Sequence, residues 1–188
     1  MDRMESTRAF IAIEIAPNVR KKITAITSEM ECNSARPVKE EQIHMTLLFL
    51  GSINDAQIKG MTEAISQIDV PQFNLSFGGI GTFGRVPRVI FANVLEGEVE
   101  LRRIYSVLRE SAEKLKIKLE DRDFAAHATI ARIKDPSKED VLYLKGFIAS
   151  HSEDSFGSFT CKEIKLKSSV LGEHGPTHSD LYTKALSP

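Results

Sequence analysis

One tetrapeptide form occurs twice in this chain, as His44-Met45-Thr46-Leu47 and again 83 residues later as His127-Ala128-Thr129-Ile130, and it constrains the fold more than any other feature. Each copy lies in a stretch rich in apolar and β-branched residues, IHMTLLFL at 43–50 and FAAHATIARI at 124–133, which predicts a β-strand. Residues two apart in a strand share a face. Each strand therefore offers an imidazole beside a hydroxyl, while Met45 or Ala128 turns to the opposite face. With five His and ten Thr in 188 residues, chance supplies roughly 0.3 His-x-Thr triplets. Two copies, each with an apolar fourth residue, point to a function shared between two strands.

The surrounding pattern predicts an α+β chain. RAFIAIEI at 8–15 reads as a strand, and Pro17 opens a helix whose apolar stripe is Val19, Ile23, Ile26 and Met30. Arg36-Pro37-Val38 breaks that helix before the first motif strand. Asn54 or Asp55 caps a helix carrying Ile58, Met61, Ile65 and Ile68. Strands at 73–80 and 88–94 flank the turn GTFGRVP, and Gly78-Gly79-Ile80-Gly81 reads as a turn, not a phosphate cradle, because no helix start follows it. A third helix from about Gly97 presents Leu101, Ile104, Leu108, Ala112 and Leu115. A weaker helix at 137–150 precedes a long strand at 159–171 and a closing strand at 180–186. Helix followed by His-bearing strand occurs in each half, so two equivalent lobes within one domain spanning 1–188 are expected.

Lys and Arg number 25 against 26 Asp and Glu, so no global positive field draws in long nucleic acid, and any such substrate must be gripped locally. Cys32 and Cys161 are far apart and form no metal-ligand cluster. No apolar run approaches the ~20 residues of a membrane span, and the first residues lack the basic-then-apolar order of a signal peptide. A cytoplasmic protein is the expectation.

Imidazole, with an unperturbed pKa of about 6.5, exists in both protonation states near neutrality. One neutral histidine can take a proton from attacking water while a protonated one gives a proton to the leaving oxygen of a phosphodiester. The Thr46 and Thr129 hydroxyls would bind non-bridging oxygens. Arg132, five residues after His127, is the candidate guanidinium, because its planar fork matches phosphate geometry. Strand parity alone places it on the face opposite His127, so this assignment requires a bend. Phe49 reads either as a base-stacking ring or as core. A catalytic zinc generally wants three protein ligands, and no HExxH or Cys cluster accompanies the two histidines, so neither metal nor cofactor is expected. His151, His174 and His178 lie in polar surroundings and read as exposed or turn histidines.

The stretches RAFIAIEI, RPVKEEQIHMTLLFLG, FGRVPRVIFANV, DFAAHATIAR and SSVLGEHGPTHSDLYTKAL resemble, in order and spacing, the RNA 2',3'-cyclic phosphodiesterase branch of the two-histidine phosphoesterase superfamily, also called the 2'-5' RNA ligase family. The resemblance implies two antiparallel sheets with flanking helices around a central cleft, each lobe giving one motif strand. It further implies hydrolysis of a terminal 2',3'-cyclic phosphate to a 2'-phosphate, with His44 as proton donor and His127 as proton acceptor. Phe49 resembles the branch's base-stacking aromatic and Arg132 its phosphate-binding arginine. Similar proteins join tRNA halves through a 2'-5' linkage. The expected partners are RNA ends, tRNA fragments among them, or small cyclic phosphodiesters, and a monomer that meets no membrane is expected. Two rivals are a phosphodiesterase for another cyclic nucleotide and a binding module without turnover.

Overall fold

The computed structural model describes residues 6–121, 123–172 and 175–188. Its elements in chain order are β1 (Thr7–Glu14), α1 (Pro17–Ser28), β2 (Ala35–Pro37), a 3₁₀ turn (Glu40–Gln42), β3 (His44–Ile53), α2 (Asp55–Ser66), β4 (Phe73–Thr82), β5 (Val89–Glu96), α3 (Glu98–Lys114), β6 (His127–Ile133), α4 (Lys138–Ser150), β7 (Ser155–Cys161), β8 (Glu163–Gly172) and β9 (Gly175–Ala185). The helix starts follow local chemistry. Pro17 supplies the fixed φ of a first turn, and Asn54 and Ser137 form capping boxes with Gln57 and Asp140. The α3 stripe of Leu101, Ile104, Leu108 and Ala112 is fully buried.

The strands form one antiparallel sheet in the order β7-β4-β5-β6-β3-β1-β8-β9, with β2 pairing the free part of β6. The two lobes expected as separate sheets are thus joined, and the join is narrow: β3 and β6 pair at Met45↔Ala128 alone. Both residues are fully buried in the core cluster that also holds Val19, Ile23, Leu101 and Ile104. At this seam the back of each motif strand is apolar, so the hydrophobic effect holds the strands together from behind.

Five sequence expectations change. The single strand expected at 159–171 is two strands: β7 ends at Cys161 on β4, and β8 begins at Glu163 on β1, at the other side of the sheet. An unbroken apolar pattern cannot reveal a change of partner. Residues 78–81 are not a turn but part of β4, where a bulge between Gly78 and Ile80 puts Gly79 at φ +57. A Cβ on Gly79 would collide with the Ser152 carbonyl oxygen, so glycine serves close approach here. The second motif strand starts at His127 rather than at 124, since the Phe124 ring stacks on Tyr105 at 4.5 Å instead of joining the ladder. The closing strand begins at Gly175 instead of 180, and Arg36-Pro37, expected only as a break, belongs to β2.

Candidate active site

The antiparallel register at Met45↔Ala128 sets Thr129 across from His44 and Thr46 across from His127, all four on the face opposite the buried pair. The two motifs are related by an approximate two-fold axis through the seam. The same bulge follows each of them. On β3, Ala12 pairs Thr46 and Ile11 pairs Leu48, so Leu47 is the extra residue. On β6, Phe91 pairs Thr129 and Ile90 pairs Ala131, so Ile130 is the extra residue. The fourth position of each motif is thus a bulge, which reverses strand parity beyond it.

This resolves the difficulty with Arg132. After the bulge Arg132 pairs Val89, which shares a face of β5 with Phe91 and Asn93, the partners of Thr129 and His127. Arg132 therefore lies on the histidine face, exposed. By the same step Phe49 pairs Phe10 and returns to the face of His44. Phe49 is 61% exposed and so is not a core residue.

Both imidazoles are held alike. His44 Nδ1 lies 2.7 Å from the Gln42 carbonyl oxygen, and His127 Nδ1 lies 2.7 Å from that of Ala125. A carbonyl only accepts, so each Nδ1 carries the hydrogen and donates it, leaving each Nε2 as the atom free to exchange a proton. A phenylalanine from the adjoining outer strand flanks each ring: Phe10 at 5.1 Å from His44 and Phe91 at 5.2 Å from His127. Phe83, from the β4–β5 turn, adds an edge contact to His127 at 5.0 Å.

The two environments differ in charge. Burial pushes the His44 imidazole down to about 4; the Gln42 carbonyl opposes the shift, His178 and Lys167 add to it, and Glu14 opposes it. Glu14, the register partner of His44, belongs to an ion cluster on the same side. The Lys167 ammonium donates to Glu14 at 2.7 Å and to Asp180 at 2.5 Å, and Lys165 lies 3.1 Å from Glu14 and 2.9 Å from Asp180. Burial opposes ionisation of Glu14 and Asp180, yet hydrogen bonds from the two lysines hold both carboxyls below the usual range.

His178 is not the exposed or turn histidine that its polar sequence surroundings suggest. It is a half-buried residue of β9, with its ring edge-on to His44 at 5.4 Å and to Phe10 at 4.9 Å. Gln42 helps hold β9 here, its side-chain amide donating to the Pro176 carbonyl at 3.0 Å. Sequence pattern misses His178, Phe10 and Phe91 because each reaches the site through strand register, and Gln42, in the 3₁₀ turn two residues before His44, because it carries no motif of its own. His151 is a turn histidine, in the turn that ends α4, but it is not exposed: its side chain is 17% accessible and its Nδ1 lies 2.7 Å from Asp154. His174 falls outside the described residues. Among the described residues no three His, Cys, Asp or Glu side chains converge to hold a metal ion, and no helix is long and apolar enough to cross a membrane.

The description "LigT like Phosphoesterase" belongs to a family model that matches residues 13–91 and 95–178, one stretch for each histidine motif. The RNA 2',3'-cyclic phosphodiesterase of Archaeoglobus fulgidus is 32% identical over 93% of this chain and 97% of its own length. The protein of that name from Aquifex aeolicus is 31% identical over 94% of this chain and 95% of its own. In three dimensions, Escherichia coli LigT complexed with 3'-AMP superposes with a TM-score of 0.83 at 23% identity, covering 98% of this chain and 100% of that one, which shows a common fold. A Thermus thermophilus protein gives 0.80 at 27% identity, covering 95% and 97%. With matches spanning both motifs and nearly the full length of its relatives, this chain belongs to the LigT-like phosphoesterase family.

Proposed function

We propose that the protein hydrolyses the 2',3'-cyclic phosphate at an RNA end to a 2'-phosphomonoester, without metal or cofactor, and that residues 1–188 act as one bilobal unit. The observation that carries this reading is the paired placement of two Nδ1-anchored imidazoles, each beside a threonine hydroxyl, across one strand seam. Relatives that align over more than nine tenths of the chain bear the name of this activity, which supports the choice of substrate. The oxygen of water attacks phosphorus as His127 Nε2 takes its proton. The P–O3' bond breaks, and His44 Nε2 gives a proton to O3'. Thr46, Thr129 and Arg132 bind the non-bridging oxygens, and the exposed Phe49 ring stacks on the base. RNA ends, tRNA fragments among them, are the substrates of a cytoplasmic monomer, and 2'-5' joining is the same opening of the cyclic phosphate with a 5'-hydroxyl in place of water.

The low pKa of His44 gives this division of labour a consequence. A group with a pKa of about 4 is protonated in roughly one molecule in a thousand at pH 7, so His44 must take up the donor proton from solvent as the anionic substrate binds and its charge raises the His44 pKa. The same observation favours a second reading in which His44 is the base and His127 the acid. A cyclic ester whose leaving group needs no proton separates the two: the variant lacking the acid is rescued and the variant lacking the base is not. Rescue of His44→Ala supports the first division, and rescue of His127→Ala the second. Near-normal hydrolysis of an oligonucleotide 2',3'-cyclic phosphate by either variant refutes the two-histidine mechanism. A 3'-phosphate product refutes the regiochemistry.

A further inference from the structure

Arg36 of β2 is the direct cross-strand partner of Arg132 on β6. Partners in an antiparallel ladder share a face and stand about 4.5–5.5 Å apart at Cβ, where two like charges repel. Since the Ile130 bulge brings Arg132 onto the histidine face, it brings Arg36 there too. Neither guanidinium has a carboxylate partner among the described residues, although neighbouring Arg88 has Asp135 at 3.7 Å. Arg36 is held in place through Nη1 alone, which donates to the carbonyls of Asn33 at 2.6 Å and Ala35 at 2.9 Å. Its Nε and Nη2 donors are left for another acceptor. An uncompensated pair of guanidiniums, one of them held by backbone carbonyls, is a site for an anion.

The reacting group does not account for both. A cyclic phosphodiester carries one negative charge on two non-bridging oxygens, and Thr46, Thr129 and Arg132 already suffice for those. The next negative charge on an RNA end is the phosphodiester that links the terminal nucleotide to the one before it. The arginine pair continues the line of the site along β6, three residues past Thr129, which at the strand rise is less than about 10 Å once the bulge is allowed for. With a net charge of −1 the chain has no general attraction for nucleic acid, so a local grip is what distinguishes an RNA end from a mononucleotide.

We infer that Arg36, beside Arg132, binds the internucleotide phosphate immediately upstream of the reacting end, making the protein selective for RNA ends of two or more nucleotides over cyclic mononucleotides. The inference rests on the phosphodiesterase reading above. The test compares kcat/KM for cytidine 2',3'-cyclic phosphate and for a dinucleotide ending in the same group, in the wild type and in Arg36→Gln and Arg36→Lys. The wild type is expected to prefer the dinucleotide. Arg36→Gln is expected to lower that preference about 10-fold or more and to reduce the salt slope of dinucleotide turnover by about 1. Arg36→Lys, which keeps the charge without the fork, is expected to fall between.

Equal losses on both substrates would place Arg36 at the reacting phosphate or in the scaffold of β2, and unchanged turnover of both would make it a bystander; either result overturns the inference. If the wild type hydrolyses neither compound, the phosphodiesterase reading fails on its own. Equilibrium binding of the dinucleotide to wild type and Arg36→Gln then decides the inference separately, with equal affinities overturning it.

Discussion

Acidification from pH 7 to pH 5 is expected to remove about 2 kcal/mol of stability from the wild-type protein that a His44→Gln variant does not lose. His44 titrates at 6.5 in an unfolded chain and at about 4 here. The folded pKa is depressed, so between these values the unfolded state binds more protons, and stability rises with pH. The contribution of His44 is therefore fully present above 6.5 and declines as pH falls from 6.5 towards 4. Each tenfold change in proton affinity is worth about 1.4 kcal/mol, which sums to about 3 kcal/mol by pH 4 and about 2 kcal/mol by pH 5, where carboxylates still remain ionised. His178 is shifted down as well, by burial and by Lys167; it is present in both proteins, so only its coupling to His44 enters the difference. Urea unfolding of wild type and His44→Gln at the two pH values gives the difference, and NMR titration of the imidazole gives the pKa directly. A His44 that titrates near 6.5, or equal acid sensitivity in the two proteins, refutes the reasoning from burial.

Three further outcomes follow from named contacts. Lys167→Met removes the more buried of the two ammoniums that Glu14 and Asp180 share and leaves only Lys165, so it is expected to lower stability by about 1–3 kcal/mol and to raise the His44 pKa, read by thermal melts and NMR titration; an unmoved His44 would show that Lys167 does not act on it. Thr46→Val and Thr129→Val keep the β-branched shape but remove the oxygen, and each is expected to lower kcat/KM on a cyclic-phosphate RNA about 10–100-fold with the melting temperature unchanged; full activity in the double variant would make the hydroxyls spectators. Gly79→Ala must accept both φ +57 and a Cβ against the Ser152 carbonyl, with an expected loss of about 2 kcal/mol or more in urea unfolding; a neutral result would mean that the β4 bulge relaxes freely.

Much of the site was legible from the chain alone because its logic is local. Period-two alternation put His44 with Thr46 and His127 with Thr129, and the apolar Met45 and Ala128 between them marked the opposite face. Pro17, Asn54 and Ser137 announced their helices because capping involves residues three or four apart. What tertiary structure decided was register. Whether the two motif strands meet, and at Met45↔Ala128, depends on residues 83 apart in sequence, and no local pattern distinguishes that pairing from two separate sheets. The bulges at Leu47 and Ile130 are likewise invisible in an apolar run, yet they turn Phe49 and Arg132 onto the histidine face against simple parity. His178, Phe10 and Arg36 arrive by the same route, from strands β9, β1 and β2. Short-range chemistry thus determined which groups can act. Long-range pairing, driven by burial of the common back face, decided which of them stand together on one face.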